Sequence, residues 1–146
     1  MPSIRERVLA AAFAKVAALS GYTSLRNPDR PPSEPELPAL FMTDLGDVDL
    51  DIVTGAAQFE LRFQVDVYVA DAGAGLAAAL DAGYLALTNA LLADRTLGNL
   101  AVDLRRGEIG DPEFVTDEGS KPFAVMPVEF VAQYWTAEAD MGALAP

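Results

Sequence analysis

The chain contains no histidine and no cysteine. The first absence removes the commonest general base and the commonest transition-metal ligand near neutral pH. The second removes thiolate nucleophiles, zinc–thiolate sites and disulfides. It leaves the redox compartment open, because a cysteine-free chain is neutral to it. Together the two absences exclude Ser-His-Asp and Cys-His arrangements and the usual zinc centres. Aromatic residues make up 8% of the chain with a single tryptophan, which argues against an aromatic sugar platform beside paired catalytic carboxylates. Positive charge is also scarce: ten Lys and Arg stand against 22 Asp and Glu, for a net charge of −12. A surface this acidic disfavours wrapping nucleic acid through its phosphates. No apolar run reaches the ~20 residues of a membrane span. The stretch 74–93 is interrupted by Asp81, and the stretch before it by Asp71 and Gly73.

What is present points to one globular domain. The chain has 146 residues, of which 51% are hydrophobic and 22% charged, enough for a core without covalent staples. Its clearest signal is Gln58–Ala70, where Phe59, Leu61, Phe63, Val65, Val67 and Val69 alternate with polar residues and Tyr68. That period predicts a long strand of an antiparallel sheet with one covered face. Residues 74–93 follow as a helix with Leu76, Leu80, Tyr84, Leu87 and Leu91 near one stripe. At the N-terminus, Ser3 and Glu6 have capping-box spacing, so residues 4–19 read as a helix rather than a signal peptide, with Lys15 breaking the apolar stretch. Gly21 stands where a left-handed cap belongs.

Residues 27–38, NPDRPPSEPELP, hold five prolines and read as an ordered arm over the surface. Ala39–Leu45 predicts a strand. Residues 44–57 form an acidic loop or hairpin extension, and 106–122 a second acidic loop. Ala101–Arg105 and Phe123–Thr136 predict two further strands, and 138–146 a loose tail. The expected fold is α+β: a two-layer sandwich with a mainly antiparallel four-stranded sheet and two helices on one face.

Chemical motifs are weak. Asp47, Asp49 and Asp51 match the first ligands of an EF-hand loop, but Ile52 replaces its glycine and Gln58 its bidentate glutamate. Gly73-Ala74-Gly75 lacks the lysine and the Ser/Thr of a phosphate loop. Arg26, Asp29 and Arg30, within RNPDRPP, fit either salt bridges from a rigid arm, local or between subunits, or a solvated turn. Residues 1–30 carry five cations and two acids, a net of +3, so the remainder carries −15. Such a division offers complementary surfaces for association.

The segments SIRERVLAAAFAKVAAL, RNPDRPPSEPELPALFM, FELRFQVDVYVA, LAAALDAGYLALTNALLADRTLGNL and AVMPVEFVAQYWT cover nearly the whole chain. In order and phrasing they resemble the small tail-terminator, or tail-completion, proteins of long-tailed phages and gene transfer agents. The resemblance implies a non-enzymatic virion subunit at the head–tail junction. It would form a six-membered ring with copies of itself, cap the tail tube protein, meet the head connector, and let DNA pass through its lumen as non-specific cargo. It implies no cofactor, metal or catalytic residue. Candidate subunit or tube contacts are Arg26, Asp29 and Arg30 of the arm, Asp44, Asp47, Asp49 and Asp51 of the first acidic segment, and Glu113, Asp117 and Glu118 of the second. A head-completion stopper at the same junction and a non-viral adaptor module are the alternatives.

Overall fold

The computed structural model describes residues 2–53, 55–70, 75–115, 121–137 and 140–144. Helix α1 (Ile4–Ala17) begins where the Ser3 hydroxyl accepts a hydrogen bond from the Glu6 N–H at 3.1 Å. Its stripe Ile4, Val8, Leu9, Ala12 and Val16 is fully buried. The chain turns at Gly21, whose φ of +86° is the left-handed value that favours glycine, into the short strand β1 (Thr23–Arg26).

Residues 27–38 then carry the chain back, with a single 3-10 turn at Glu34–Glu36, so that strand β2 (Ala39–Val53) lies parallel to β1, Thr23 opposite Ala39. A parallel return needs a connection of about a dozen residues, and the proline-rich arm supplies it. β2 turns at Gly55 into β3 (Ala56–Ala70), forming a hairpin of two 15-residue strands. The segment expected as an acidic loop or hairpin extension is largely the far end of this hairpin.

Helix α2 (Leu76–Leu92) buries Leu80, Leu87 and Leu91 on the same sheet face as α1. It comes close enough to β3 that a Cβ at Gly83 would sit 2.7 Å from Val67 Cγ1. The remaining strands are β4 (Asp103–Ile109), β5 (Glu113–Val115), β6 (Phe123–Ala137) and β7 (Asp140–Leu144). β7 occupies part of the stretch expected as a loose tail.

The sheet has seven strands in the order β1-β2-β3-β6-β4, with β5 and β7 also paired to β6. It is mixed, because β1 is parallel to β2. This corrects the expected four-stranded antiparallel sheet, although the α+β class and the helices on one face remain. The reason lies in β6. β3 pairs with it along all 15 residues, and its other edge is divided among β7, β4 and β5. Those short strands owe their extension to a long neighbour rather than to a pattern of their own.

Pro127 sits where that second edge is interrupted, between the Ile109–Val128 and Glu113–Val125 pairings. Its carbonyl accepts from the Gly110 N–H at 2.9 Å. In an antiparallel strand the N–H and C=O of one residue point to the same neighbour. The donor that proline lacks therefore faces the β4–β5 gap, and the β3 ladder loses nothing.

The core lies between the helices and the inner sheet face: Leu40, Met42, Leu61, Phe63, Val65, Val67, Leu104, Val128, Phe130 and Tyr134. Phe63 stacks on Phe130 with centroids 5.5 Å apart, and Phe59 on Tyr134 at 5.3 Å, each at a favourable offset distance.

Candidate functional site

The first acidic segment and the N-terminal cations meet in one network. Arg26 sends Nη1 and Nη2 to the two carboxylate oxygens of Glu6 on α1 at 2.7 and 2.9 Å. Its Nε and Nη2 reach Asp44 on β2 at 3.3 and 2.9 Å. The Asn27 amide donates to Asp44 Oδ2 at 3.0 Å, and its carbonyl accepts from the Asp44 N–H at 2.8 Å. Beside this, Arg5 Nε donates to Asp47 Oδ1 at 2.6 Å, and the buried Tyr134 hydroxyl donates to Asp47 Oδ2 at 2.6 Å.

A β-bulge adds Asp47 to the network. Asp44 pairs with Phe63 and Asp47 with Leu61, so β2 spends three residues where β3 spends two. In a regular strand, residues three apart face opposite sides. Asp44 already shares the helix face with Met42, and the extra residue brings Asp47 to that face, toward Arg5. Arg26 is pushed above its ordinary range, first by Glu6 and then by Asp44. Glu6 is held below the usual carboxylate range by its bonds to Arg26. For Asp44, burial pulls upward most strongly, but the hydrogen bonds from Arg26 and Asn27 outweigh it, so its carboxyl is also lowered. The aspartates at 44 and 47 are thus occupied by guanidinium, amide and phenol donors of their own chain.

The arm holds a second knot. Arg30 forks onto Glu36 at 2.5 and 3.0 Å. The Ser33 N–H and hydroxyl both donate to the same carboxylate at 2.9 Å. These donors, Arg30 first, lower Glu36 to about 2. The arm crosses one end of the outer sheet face, where Pro32, Glu34 and Leu37 lie against Lys121 and Phe123.

Among the described residues, no helix covers the outer face beyond the arm. Arg62 bridges Glu60 at 3.3 Å and Glu129 at 3.4 Å, and Arg105 reaches Glu60 at 3.2 Å, a cross-strand ladder over β3, β6 and β4. Asp66, opposite Phe41 and Pro127, accepts from the Gln64 amide at 2.8 Å. Burial raises its carboxyl above the ordinary value. Burial also raises the Tyr68 hydroxyl, with smaller contributions from Asp66 and Glu113.

The residues singled out from sequence are therefore dispersed. Arg26, Asp44 and Asp47 join in the α1–β2 network, and Arg30 in the arm. Asp29 and Glu113 are exposed. Asp49 and Asp51 lie in β2, paired with Phe59 and Gln58 along the backbone. Asp117 and Glu118 fall outside the described residues. The sequence reading did not include Arg5, Glu6, Asn27 and Tyr134 as members of this network. Their partners lie 17 to 87 positions away, and no local spacing marks them.

No family model matches the chain, and no curated protein matches it. Among solved structures, it is similar to a chain from the "Virion of native gene transfer agent (GTA) particle". The two are 18% identical, the match covers 90% of each, and the TM-score is 0.41.

Proposed function

We propose that this chain is a structural subunit of a phage-like particle, a tail terminator whose copies close into a hexameric ring on the end of the tail tube. The observation that carries this reading is the mismatch between its two layers. Strands β2, β3 and β6 have 15 residues each, about 50 Å at ~3.3 Å per residue. Helices α1 and α2 have 14 and 17 residues, about 21 and 26 Å at 1.5 Å per residue. The helices roof only part of the inner face, and among the described residues no helix covers the outer face beyond the arm. An outer face whose Arg62 and Arg105 are paired within the chain to Glu60 and Glu129 suits contacts that form only when rings assemble, and head-to-tail contacts close when their rotation allows.

The charge arrangement shapes this proposal. Arg5, Arg26 and Arg30 each have an intrachain partner, so ring contacts would rest on the sheet face and hairpin rather than on attraction between a basic first segment and an acidic remainder. The acidic hairpins would face the tube or the channel, where carboxylates repel phosphates and keep passing DNA mobile. Particles assembled without this chain are the test. Overlong tails in negative-stain images are expected. Tails of normal length on unfilled heads would assign the stopper role at the same junction instead, and intact, filled particles would refute any place in the head–tail assembly.

A further inference from the structure

We infer that the groove between α2 and the β4–β5 turn is a docking site for a cationic, apolar segment of a different protein. The groove, of about 230 Å³, is lined by Leu80, Tyr84, Ile109, Phe114 and Met126, with the Asp81 carboxylate on its wall. Ile109 and Phe114 are 42% and 52% exposed although both sit on the inner face of the sheet. α2 does not extend over them, so the core-facing side of the sheet opens to solvent at this end. Small-molecule pockets run from roughly 300 Å³ upward. This groove is smaller, and its size suits one or two apolar side chains presented by a chain segment.

Charge selects the occupant. Glu108 and Asp111 are exposed on the turn that carries Ile109 and Phe114, and Asp81 adds a third carboxylate. Arg106, beside the groove, is bonded to the Tyr84 hydroxyl and lies 5.9 Å from that ring's centre. It packs as part of the wall. An apolar floor inside an acidic rim fits a segment with an apolar stripe flanked by lysine or arginine.

A second copy of this chain is a poor occupant. Each of its arginines is already held within its own fold: Arg5 by Asp47, Arg7 by the Gly142 carbonyl, Arg26 by Glu6 and Asp44, Arg30 by Glu36, Arg62 and Arg105 by Glu60, Arg95 by Asp103, and Arg106 by Tyr84. Among the described residues this leaves Lys15 and Lys121 to answer a rim of three acids. This inference does not depend on the virion reading and fails or stands separately from it.

The probe is a short helical peptide with leucine along one face and lysine on the other, titrated into the full chain by fluorescence anisotropy. A companion peptide carries glutamate in place of lysine. The lysine peptide is expected to bind, to shift the amide resonances of Tyr84, Ile109 and Phe114, and to weaken by at least about tenfold in Phe114→Ser and in Asp81→Lys. Asp29→Asn, remote on the arm, is expected to leave binding unchanged. Absence of binding, equal binding of the glutamate peptide, shifts spread over other acidic surfaces, or equal loss in Asp29→Asn would each overturn the proposal. So would concentration-dependent dimerisation of the chain alone that disappears in Phe114→Ser. The resonance shifts are read on the unsubstituted protein, so the test does not hinge on a variant folding.

Discussion

Arg26→Met is the sharpest perturbation of the network that ties α1 to the sheet. Methionine keeps the aliphatic stem and deletes the guanidinium. Four hydrogen bonds to two carboxylates are lost. Bonds to charged groups contribute ~1.5–3 kcal/mol where they are shielded from water. Asp44 is well covered, with 17% of its side chain exposed, but Glu6 has 45% exposed, so its share falls to about 1 kcal/mol or less through solvent screening. A loss of about 2–3 kcal/mol at pH 7 follows.

The pH dependence separates this cause from generic damage. Glu6 and Asp44 both have folded-state values below their ordinary 4.5 and 3.8. Their contribution is complete above those ordinary values and is lost as the pH falls through the depressed ones, since the unfolded chain then takes up protons first. Urea unfolding followed by the fluorescence of Trp135 should show a wide gap between the parent chain and Arg26→Met at pH 7. The gap should narrow steadily in acid below about pH 4 at similar slope. A gap independent of pH, or one under about 0.5 kcal/mol at pH 7, would refute the assigned role.

Two further substitutions test other features. Asp66→Asn should stabilise the chain at neutral pH by roughly 1 kcal/mol, the cost scale of an incompletely paired polar group. Because the folded-state value of Asp66 is raised, its ionised form opposes folding above that value, and the benefit should vanish below the ordinary 3.8; equal benefit at pH 7 and in strong acid would refute this. Gly83→Ala should lower the melting temperature, because overpacking against Val67 costs about 1–3 kcal/mol and exceeds the ~1 kcal/mol that alanine returns in helix propensity. The penalty should shrink in a Val67→Ala background, and an unchanged penalty there would exonerate the contact.

The parts of the fold legible in the sequence are those with a period of their own. β3 alternates over its whole length, β6 nearly so, and both helices carry apolar stripes, so their faces were readable. β1 is half-buried at all four positions and shows no alternation. β5 and β7, at three and five residues, are too short to show a period. The run GDVDLDIV alternates acid with apolar residues, which is itself a strand pattern, but its charge reads equally well as a loop. Arg26 and Asp44 meet across 18 positions through the β1–β2 pairing, which no local spacing marks, and Asp47 joins them through a bulge, which has no fixed spelling. The groove at Ile109 and Phe114 had one faint signal, two large apolar residues inside an acidic stretch. Its other wall, Tyr84, lies 25 positions before Ile109, and only the fold joins them.

β6 is sewn to β3 by one continuous seam and to its other neighbours by three separate stitches. A stitch can loosen without dragging its companions out of step. Extra residues inserted between two stitches bulge outward where they fall, leaving the unbroken seam in register. The β2–β3–β6 half is thus the frame of the molecule, and the β4, β5 and β7 side is the trim, the part that can be recut for a new partner without unpicking the whole.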